Sequence, residues 1–432
     1  MTLILIFAAM LLLVFIGVPI LLAIASVSLT GAMLIPGLVP ALVPQKAFAM
    51  LDSFSLLALP YFILAGSIMT RGGLSAGLIE FSQALVGHIR GSLGHTAVLS
   101  CTALANISGS STAEAAAVGS VTIPAMREQG YKPGLPAAIV ATAATIGPII
   151  PPSMTMIIYG SITGVSIGGL FMAGIVPGII IATLLMALIY GMSYLPRYPE
   201  LRATLPRSGL KQICRATVKV WPALMAPVVI MGGILSGIFT ATEAGVVACV
   251  YSLLVSMLWY RILKWKDVPA TIIDAAVTTA MVAGVLGMAG VLGWLLSFLN
   301  FNDTVLASLK GVTGSPLLML MLLAGIMLVL TMLLDGLAVV VVMVPTIVYV
   351  GNAFHIDPLQ LGIIMVMVTQ IGGLTPPVAI LLFITSSIEK VPFSAGVRSI
   401  WPFLAVMLSV MLLIMVFPGI ATLVPSKVLG GP

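Results

Sequence analysis

Charged residues are scarce in this sequence. Asp, Glu, Lys and Arg make up 7% of it and hydrophobic residues 60%, whereas about a quarter of an ordinary soluble protein is charged. A soluble fold of 432 residues cannot cover its surface with so few charges, so the composition indicates a multi-spanning membrane protein. The apolar runs are continuous and do not alternate with polar residues, which argues for helices and against a β-barrel.

Cysteine is scarce too. Cys101, Cys214 and Cys249 have no paired spacing and no neighbouring histidine, which argues against a disulfide framework or a metal site. The net charge of +6 lies mostly in loops and indicates membrane orientation, not nucleic-acid binding. The N-terminus lacks a charged region before its apolar run, so we expect a first span (Leu3 to about Leu29, kinked at Gly17–Pro19) and not a cleaved signal.

Against this apolar background, a polar cluster between Asn106 and Thr112 is the main landmark. It is followed by a lone carboxylate, Glu114, and then by IGPIIPP at Ile146–Pro152. Polar groups of this kind are tolerated in a membrane only against protein or water. The same design returns in the second half, where Asp335 precedes IGGLTPP at residues 371–377.

The spacing of these features indicates an internal duplication. In each copy nine residues separate the carboxylate from a proline, and another proline follows the diproline by 25 residues. The matched pairs are Glu114–Pro124 with Asp335–Pro345, and Pro152–Pro177 with Pro377–Pro402. In this alignment the second copy is four residues longer between the blocks, about one helical turn. Membrane repeats with Gly/Pro-interrupted segments at matching positions point to a transporter binding site.

Each copy is predicted to form a re-entrant helical hairpin followed by a broken membrane helix. Leu93–Leu104 and Ala113–Ala125 are each too short to cross the bilayer and would form the first hairpin around the polar tip. Ala137–Tyr159 would span, but Gly147-Pro148 and Pro151-Pro152 interrupt it. The fold class expected is an all-α polytopic membrane protein with inverted repeats, of the elevator-type transporter architecture.

The predicted organisation places these repeats between scaffold segments. The segments are residues 1–91 (scaffold helices, a loop at Pro36–Pro44 and an interfacial arm at Leu74–Val86), 92–193 (first repeat, with hairpin 92–127 and broken helix 134–160), 194–220 (basic cytoplasmic linker), 221–315 (scaffold helices and arm), 316–402 (second repeat, with hairpin 316–352 and broken helix 358–388) and 403–432 (C-terminal span).

Charge distribution predicts the orientation in the membrane. With the first hairpin based in the cytoplasm, fifteen Lys and Arg fall inside, and only Lys46, Lys310 and Lys427 fall outside. This is the positive-inside bias of membrane proteins. An odd number of crossings between the copies then inverts the second relative to the first.

A helix broken at mid-membrane turns free carbonyls and N–H groups toward one point. Carbonyl and hydroxyl oxygens suit a hard cation such as Na⁺, and new helix N-termini, with each diproline in the first turn, suit a substrate carboxylate. The Na⁺ candidates are Asn106, Ser108, Ser110, Ser111, Gly147 and Pro151 in the first copy and Asp335, Gly336, Gly372 and Thr375 in the second. The substrate candidates are Gly109, Pro152, Ser153, Gly373, Pro376 and Pro377.

Structural roles in packing and helix capping compete with these assignments. Small residues in membrane helices also serve close packing, and Glu114 and Asp335 are open between cation ligands, proton carriers and caps bonded to backbone N–H groups. Glu243 in Thr240-Ala241-Thr242-Glu243 is better explained as a helix-start cap than as a ligand.

Several motifs resemble one known family over essentially the whole chain. FSLLALPYFILAG at 54–66, then IMTRGGLS, SGSSTAEAAAVGS, IGPIIPPS, LFMAGIVPG, GGILSGIFTATEAG and IGGLTPP are similar to the large membrane subunit of tripartite ATP-independent periplasmic (TRAP) transporters, the DctM-like family. The sequence departs from the family pattern at Ala241, where Thr-Pro-Thr-Glu is expected, and the missing proline should loosen a turn outside the transport site.

The resemblance implies more than the residues show. It implies a multi-pass protein of the bacterial inner membrane that works with a small four-span DctQ-like subunit and a periplasmic DctP-like binding protein. It implies Na⁺-driven uptake of an organic acid with a carboxylate, no enzyme activity and no cofactor besides the coupling ion. By resemblance, the mobile body is Ser92–Pro177 plus Pro316–Pro402, with Na⁺ near Ser110, Ser111, Gly147 and Pro151 and near Asp335, Gly372 and Thr375.

Two other functions remain as alternatives. The first is a carrier of organic anions that needs no binding protein and is coupled to Na⁺ or to H⁺ through Glu114 or Asp335. The second, an intramembrane enzyme, has little support, because Gly109–Thr112 only faintly resembles a membrane serine protease and no histidine lies on a convincing partner helix.

Overall fold

The computed structural model describes residues 9–429 apart from 11, 15, 36–38 and 40, together with their side chains except those at 34, 75, 107 and 429. This part of the chain is helical, with no strand. Eight of its helices are long and apolar enough to cross a membrane. The predicted all-α polytopic membrane fold is therefore confirmed.

The first quarter of the chain forms scaffold helices and an arm. The helices are α1 (Ile20–Leu34), α2 (Leu42–Leu51), α3 (Ala58–Arg71) and the arm α4 (Leu74–Val86), with a 3₁₀ turn at Phe54–Leu57 before α3. The kink expected at residues 17–19 is present as a non-helical segment before α1. The loop expected at 36–44 lies partly outside the described residues, and its last three residues belong to α2. Residues 3–8 of the predicted first span also lie outside the described residues.

The first copy follows as one hairpin, one broken helix and one long helix. These helices are α5 (Ser92–Ser108) and α6 (Ser111–Glu128) for the hairpin, α7 (Leu135–Ala144) and α8 (Met154–Thr163) for the broken helix, and α9 (Ile167–Met192).

The middle of the chain returns to scaffold and arm. The helices are α10 (Leu210–Leu235), α11 (Ala241–Leu254, continued by a π-helical turn at Val255–Trp259), α12 (Val268–Phe298) and the arm α13 (Phe301–Lys310). The linker expected at 194–220 is shorter than predicted, because α10 begins at Leu210 and carries the last basic residues of that segment on its first turns.

The second copy repeats the plan. Its helices are α14 (Pro316–Leu333), α15 (Gly336–Ala353), α16 (Pro358–Leu374), α17 (Ile380–Glu389) and α18 (Phe393–Val416), and α19 (Gly419–Leu429) follows. The C-terminal span expected at 403–432 is therefore misplaced. Pro402 lies inside α18, which begins ten residues before the predicted boundary, and the chain turns at residues 417–418 before a separate α19.

Helix ends give a different register for the duplication from the one the prolines suggest. Ser108 and Leu333 end the first hairpin arms, and Glu128 and Ala353 end the second arms, 225 residues apart in both cases. Gly147 and Gly372 are also 225 residues apart. The predicted four-residue insertion is therefore absent, and Asp335 corresponds to Ser110, not to Glu114.

The hairpin arms are longer than predicted. Because helix continues through the polar residues, α5 has 17 residues and α6 has 18, close to the roughly 20 needed for a span. The length of these arms therefore does not identify them as re-entrant. The position of their tips does.

The two copies enter the membrane from opposite sides and interlock. Five crossings separate the hairpins, namely the broken helix and the spans α9 to α12, and an odd number inverts the second copy. Helix α17 packs against α6 and α7, and α8 packs against α15 and α16. The scaffold forms around α3, α11 and α12, and α12 contacts α15 of the second hairpin.

Candidate functional site

Both hairpin tips and both helix breaks border one cavity of about 180 Å³. The first copy contributes residues 109–112, Pro148, Met154 and Thr155. The second copy contributes residues 335–337, Thr369, Gln370, Gly373, Ile380 and Leu381. The duplicated polar elements, far apart in sequence, therefore converge on one point.

The first tip is a tight turn between α5 and α6. Gly109 has a φ of +55°, and a Cβ there would lie 2.5 Å from the carbonyl oxygen of Pro152, so only glycine fits. Ser110 is the N-cap of α6, and its hydroxyl accepts a hydrogen bond from the Ala113 N–H at 3.5 Å. The turn therefore seats the tip directly on the break of the first broken helix.

Glu114 is buried behind this tip, not at the helix cap. The Ser108 hydroxyl donates to Glu114 Oε1 at 2.7 Å, while the buried Oε2 has no hydrogen-bond partner in the described part of the chain. A Cβ on Gly147 would lie 2.4 Å from Oε1, so the carboxylate lies flat against the backbone of the break. An orphaned buried oxygen is costly and fits a nearby cation. Of the three roles left open for Glu114, the cap on backbone N–H groups is wrong, because the hydrogen bond to this carboxylate in the described part of the chain comes from the Ser108 hydroxyl.

The break of the first copy covers residues 145–153. Pro151 and Pro152 are buried in this non-helical segment, and the Ser153 hydroxyl accepts from the Met156 N–H at 3.3 Å to cap α8. The expectation that each diproline occupies the first turn of a new helix is wrong, because α8 and α17 begin only at Met154 and Ile380. The diproline bonds 151–152 and 376–377 are both cis.

The second tip carries a charged cap. Asp335 Oδ1 accepts from the N–H groups of Leu337 at 3.0 Å and Ala338 at 3.3 Å, so of the roles left open for this carboxylate the structure shows the cap. Its side chain is exposed to the cavity. It is also the one ionisable residue among those that line the cavity.

The break of the second copy is shorter. Helix α16 continues through Gly372 and Gly373 to Leu374, so these glycines end a helix and do not interrupt it. A Cβ on Gly372 would lie 2.2 Å from the Thr331 hydroxyl, which shows that Gly372 serves close packing with α14. The buried Thr375 donates its hydroxyl to the Ile371 carbonyl at 2.6 Å.

The predicted site residues fall into two groups. Those that line the cavity are Gly109, Ser110, Ser111, Asp335, Gly336 and Gly373. Those that are not among its lining residues are Asn106, Ser108, Glu114, Gly147, Pro151, Pro152, Ser153, Gly372, Thr375, Pro376 and Pro377. Asn106 donates to the Thr102 carbonyl of its own helix at 3.2 Å.

Sequence reasoning missed four polar lining residues. They are Thr112, Thr155, Thr369 and Gln370, and the Gln370 amide donates to the Thr369 hydroxyl at 3.0 Å. The signal available was their polarity inside otherwise apolar spans. The helix-start assignment of Glu243, in contrast, is confirmed: Thr240 and Glu243 form a reciprocal capping box at the start of α11.

Known proteins resemble this chain over nearly its whole length. Residues 7–420 match the family model for the tripartite ATP-independent periplasmic transporter, DctM component. The C4-dicarboxylate TRAP transporter large permease protein DctM of Pseudomonas aeruginosa is 35% identical over 381 residues, 88% of each chain. The sialic acid TRAP transporter large permease protein SiaM of Vibrio cholerae is 32% identical and covers 89% of this chain and 90% of its own.

A solved structure shares the fold. The YdaH transporter of Alcanivorax borkumensis, whose topology is described as unusual, superposes with a TM-score of 0.61 at 14% identity, covering 95% of this chain and 98% of its own. At that identity the likeness shows the fold alone.

Proposed function

The chain belongs to the family of TRAP transporter large permease subunits, the DctM component, and from this we propose that it carries out Na⁺-coupled uptake of a small organic acid. The observation that carries the proposal is the single cavity bordered by both hairpin tips and both breaks. Such sites, at the interface of inverted repeats, bind substrate and coupling ion near the middle of the bilayer in secondary transporters.

The electrostatics of the cavity support a coupling cation. Asp335 brings a negative charge, and no Lys, Arg or His stands among the lining residues. An anionic substrate in this cavity needs a positive charge beside it, because unpaired charge is expensive away from water. Na⁺ bound by hydroxyl and carbonyl oxygens around Ser110, Ser111, Gly147 and the residues from 372 to 375 would supply that charge.

The substrate class proposed is a small carboxylate. Relatives are named for C4-dicarboxylates and for sialic acid, which carry carboxylates, and another for isethionate, which carries a sulfonate. What these substrates share is an anionic group bound to a small polar body. The N-terminus of α6, with the Ser111 and Thr112 hydroxyls at the cavity, supplies N–H groups suited to such an anion.

Partners and location follow from the same proposal. We expect a small four-span DctQ-like subunit, a periplasmic DctP-like binding protein and the bacterial inner membrane. The isethionate relative from Oleidesulfovibrio alaskensis is a single DctMQ permease, of which the aligned region covers 63%. Its name combines the large and the small component and so supports the pairing of the two.

For the transport step we propose an elevator. The interlocked copies, Ser92–Pro177 with Pro316–Pro402, would move as one body against the scaffold of α3, α11 and α12. Packing of α17 on α6 and α7, and of α8 on α15 and α16, supports one body.

Reconstitution tests the function directly. The chain, its small subunit and its binding protein are placed in liposomes with an inward Na⁺ gradient or an equal K⁺ gradient. Uptake of the binding protein's ligand only under the Na⁺ gradient is the expected result, and equal uptake in K⁺ would refute the coupling. Uptake that persists without the binding protein would favour a self-sufficient Na⁺- or H⁺-coupled carrier.

A further inference from the structure

The first broken helix has no cap of its own. Residue 134, at its N-cap, is a glycine without a side chain to accept from the free N–H groups of the first turn. The second broken helix, in contrast, is capped by Asp357, which accepts from the Leu359 N–H at 2.8 Å and the Gln360 N–H at 3.0 Å. In the register of 225 residues, the counterpart of Asp357 is Lys132, which lies two residues before the N-cap Gly134 and has no carboxylate to accept from these N–H groups.

The missing cap comes from the other copy. Glu389, the last residue of α17, accepts from the Gly134 N–H at 2.8 Å through Oε1 and from the Ala137 N–H at 3.0 Å through Oε2. Its side chain is 0% exposed, and Arg127 at the end of α6 lies 3.8 Å from Oε1. One carboxylate thus joins the start of α7, the end of α17 and the end of the first hairpin.

The surrounding packing leaves this contact little freedom. A Cβ on Gly134 would lie 2.3 Å from the backbone of Ala395, so the start of α7 is pressed against the start of α18. At the opposite ends of the same two broken helices, the Tyr159 hydroxyl donates to the Pro358 carbonyl at 3.0 Å. Each broken helix is therefore bonded to the other at both membrane faces.

We propose that Glu389 is a positioning residue that couples the two broken helices, so that the two breaks keep one relative position while the carrier moves. Helix α7 leads into the break that brings Pro148 to the cavity, and α16 and α17 flank the break next to Gly373. A fixed relation between α7 and α17 therefore fixes the shape of the cavity. The effect of Glu389 on transport rests on the proposed function, whereas its contacts with both copies do not.

The test compares two caps that differ in one respect. Glu389→Ala and Asp357→Ala each remove a carboxylate that accepts from two N–H groups, but only Glu389 reaches across the copies. Spin labels on Glu128→Cys and Ser394→Cys, both at exposed positions, report the distance between copies in lipid nanodiscs, in a full chain whose exposed Cys214 is replaced by serine. We expect a similar fall in thermal stability for both variants and a broadened distance distribution for Glu389→Ala alone.

Transport gives the second readout. In liposomes with the partner subunits we expect Glu389→Ala to lower kcat about tenfold with KM changed less than about twofold, and Asp357→Ala to leave both within about twofold. Glu389→Gln keeps one carbonyl oxygen and the side-chain volume, so its kcat should lie between those of the wild type and Glu389→Ala. It replaces Glu389→Ala in the test if the alanine variant does not fold.

The measurements distinguish a failure of the Glu389 proposal from a failure of the proposed function. Equal distance distributions and equal kcat for Glu389→Ala and Asp357→Ala would overturn the proposal and leave Glu389 as an ordinary helix cap. If wild-type protein with its partners shows no Na⁺-driven uptake, the proposed function fails, while the distance measurement on the chain alone still decides whether Glu389 couples the copies.

Discussion

At the scale of single residues, the two carboxylates near the hairpin tips have different surroundings. Asp335 caps α15 and faces the cavity, whereas Glu114 is buried under Ser108 and against Gly147. The sequence placed both near the site but could not separate their roles, because an equal distance to a proline says nothing about which way a side chain points.

The substitution Asp335→Asn separates the capping role of this side chain from the role of its charge. Asn and Asp cap helices about equally well, so Asp335→Asn should unfold at nearly the wild-type temperature yet bind Na⁺ more weakly. Asp335→Ala should lose both properties. Thermal unfolding and Na⁺ titration of the purified protein measure the two effects, and wild-type Na⁺ affinity in Asp335→Asn would remove this carboxylate from the ion site.

Gly147 should tolerate no side chain. Because a Cβ would overlap the Glu114 carboxylate, Gly147→Ala is expected to cost about 1–3 kcal/mol of stability, the usual range for overpacking. Gly232→Ala is the control, since a Cβ there meets nothing within 4 Å. Similar unfolding temperatures for the two variants would show that the break at Gly147 is looser than described.

The hydroxyls of Ser110 and Thr375 test the ion sites. We expect Ser110→Ala and Thr375→Ala to raise the Na⁺ concentration needed for half-maximal uptake while protein abundance changes little. Ser110 lines the cavity, and the Thr375 hydroxyl stabilises the last turn before the second break by its hydrogen bond to the Ile371 carbonyl. Unchanged Na⁺ dependence of uptake in both variants would exclude Ser110 and Thr375 from the ion sites.

At the scale of elements, the sequence predicted both tips and both broken helices because their causes are local. Glycine, proline and small hydroxyl residues interrupt helices wherever they cluster. The register between the copies was not predictable in the same way, because a proline inside a membrane helix marks no fixed position. Pro124 is the fourteenth residue of α6, and Pro345 is the tenth of α15.

The start of α11 offers a stabilising substitution. Ala241 is the first residue of this helix, after the N-cap Thr240. Proline is favoured at this position, and a compatible substitution stabilises by about 0.4–1 kcal/mol through the unfolded chain. We expect a higher unfolding temperature for Ala241→Pro with unchanged uptake; Ala244→Pro, whose N–H bonds the Thr240 carbonyl, should be destabilised instead.

At the scale of the whole molecule, the cavity and the Glu389 contact join residues that no local pattern relates. Glu389 and Gly134 are 255 residues apart, and their meeting depends on how two inverted copies pack. Fold class could be derived from composition and repeats, but the lining role of Thr369 and Gln370 required the packed structure.

Engineered disulfides test whether the copies move as one body. Gly293 on scaffold helix α12 lies against Pro345 on α15, and Gly119 on α6 lies against Ile388 on α17. Oxidation of a Gly293→Cys/Pro345→Cys pair should stop uptake, because it ties the body to the scaffold. Oxidation of Gly119→Cys/Ile388→Cys should not, because both positions lie within the body. Continued uptake with the first pair fully cross-linked would contradict an elevator.

In the proposed elevator, the carboxylate at the second tip would also make the carrier sensitive to voltage. A body that carries the Asp335 charge through the bilayer, with no basic side chain beside it in the cavity, does work against the membrane potential, worth about 2.3 kcal/mol per charge for each 100 mV fully crossed. An interior-negative potential would push the empty body toward the outer leaflet, where cargo arrives. In polarised cells the membrane potential would thus favour empty carriers whose cavity faces outward, where the substrate arrives.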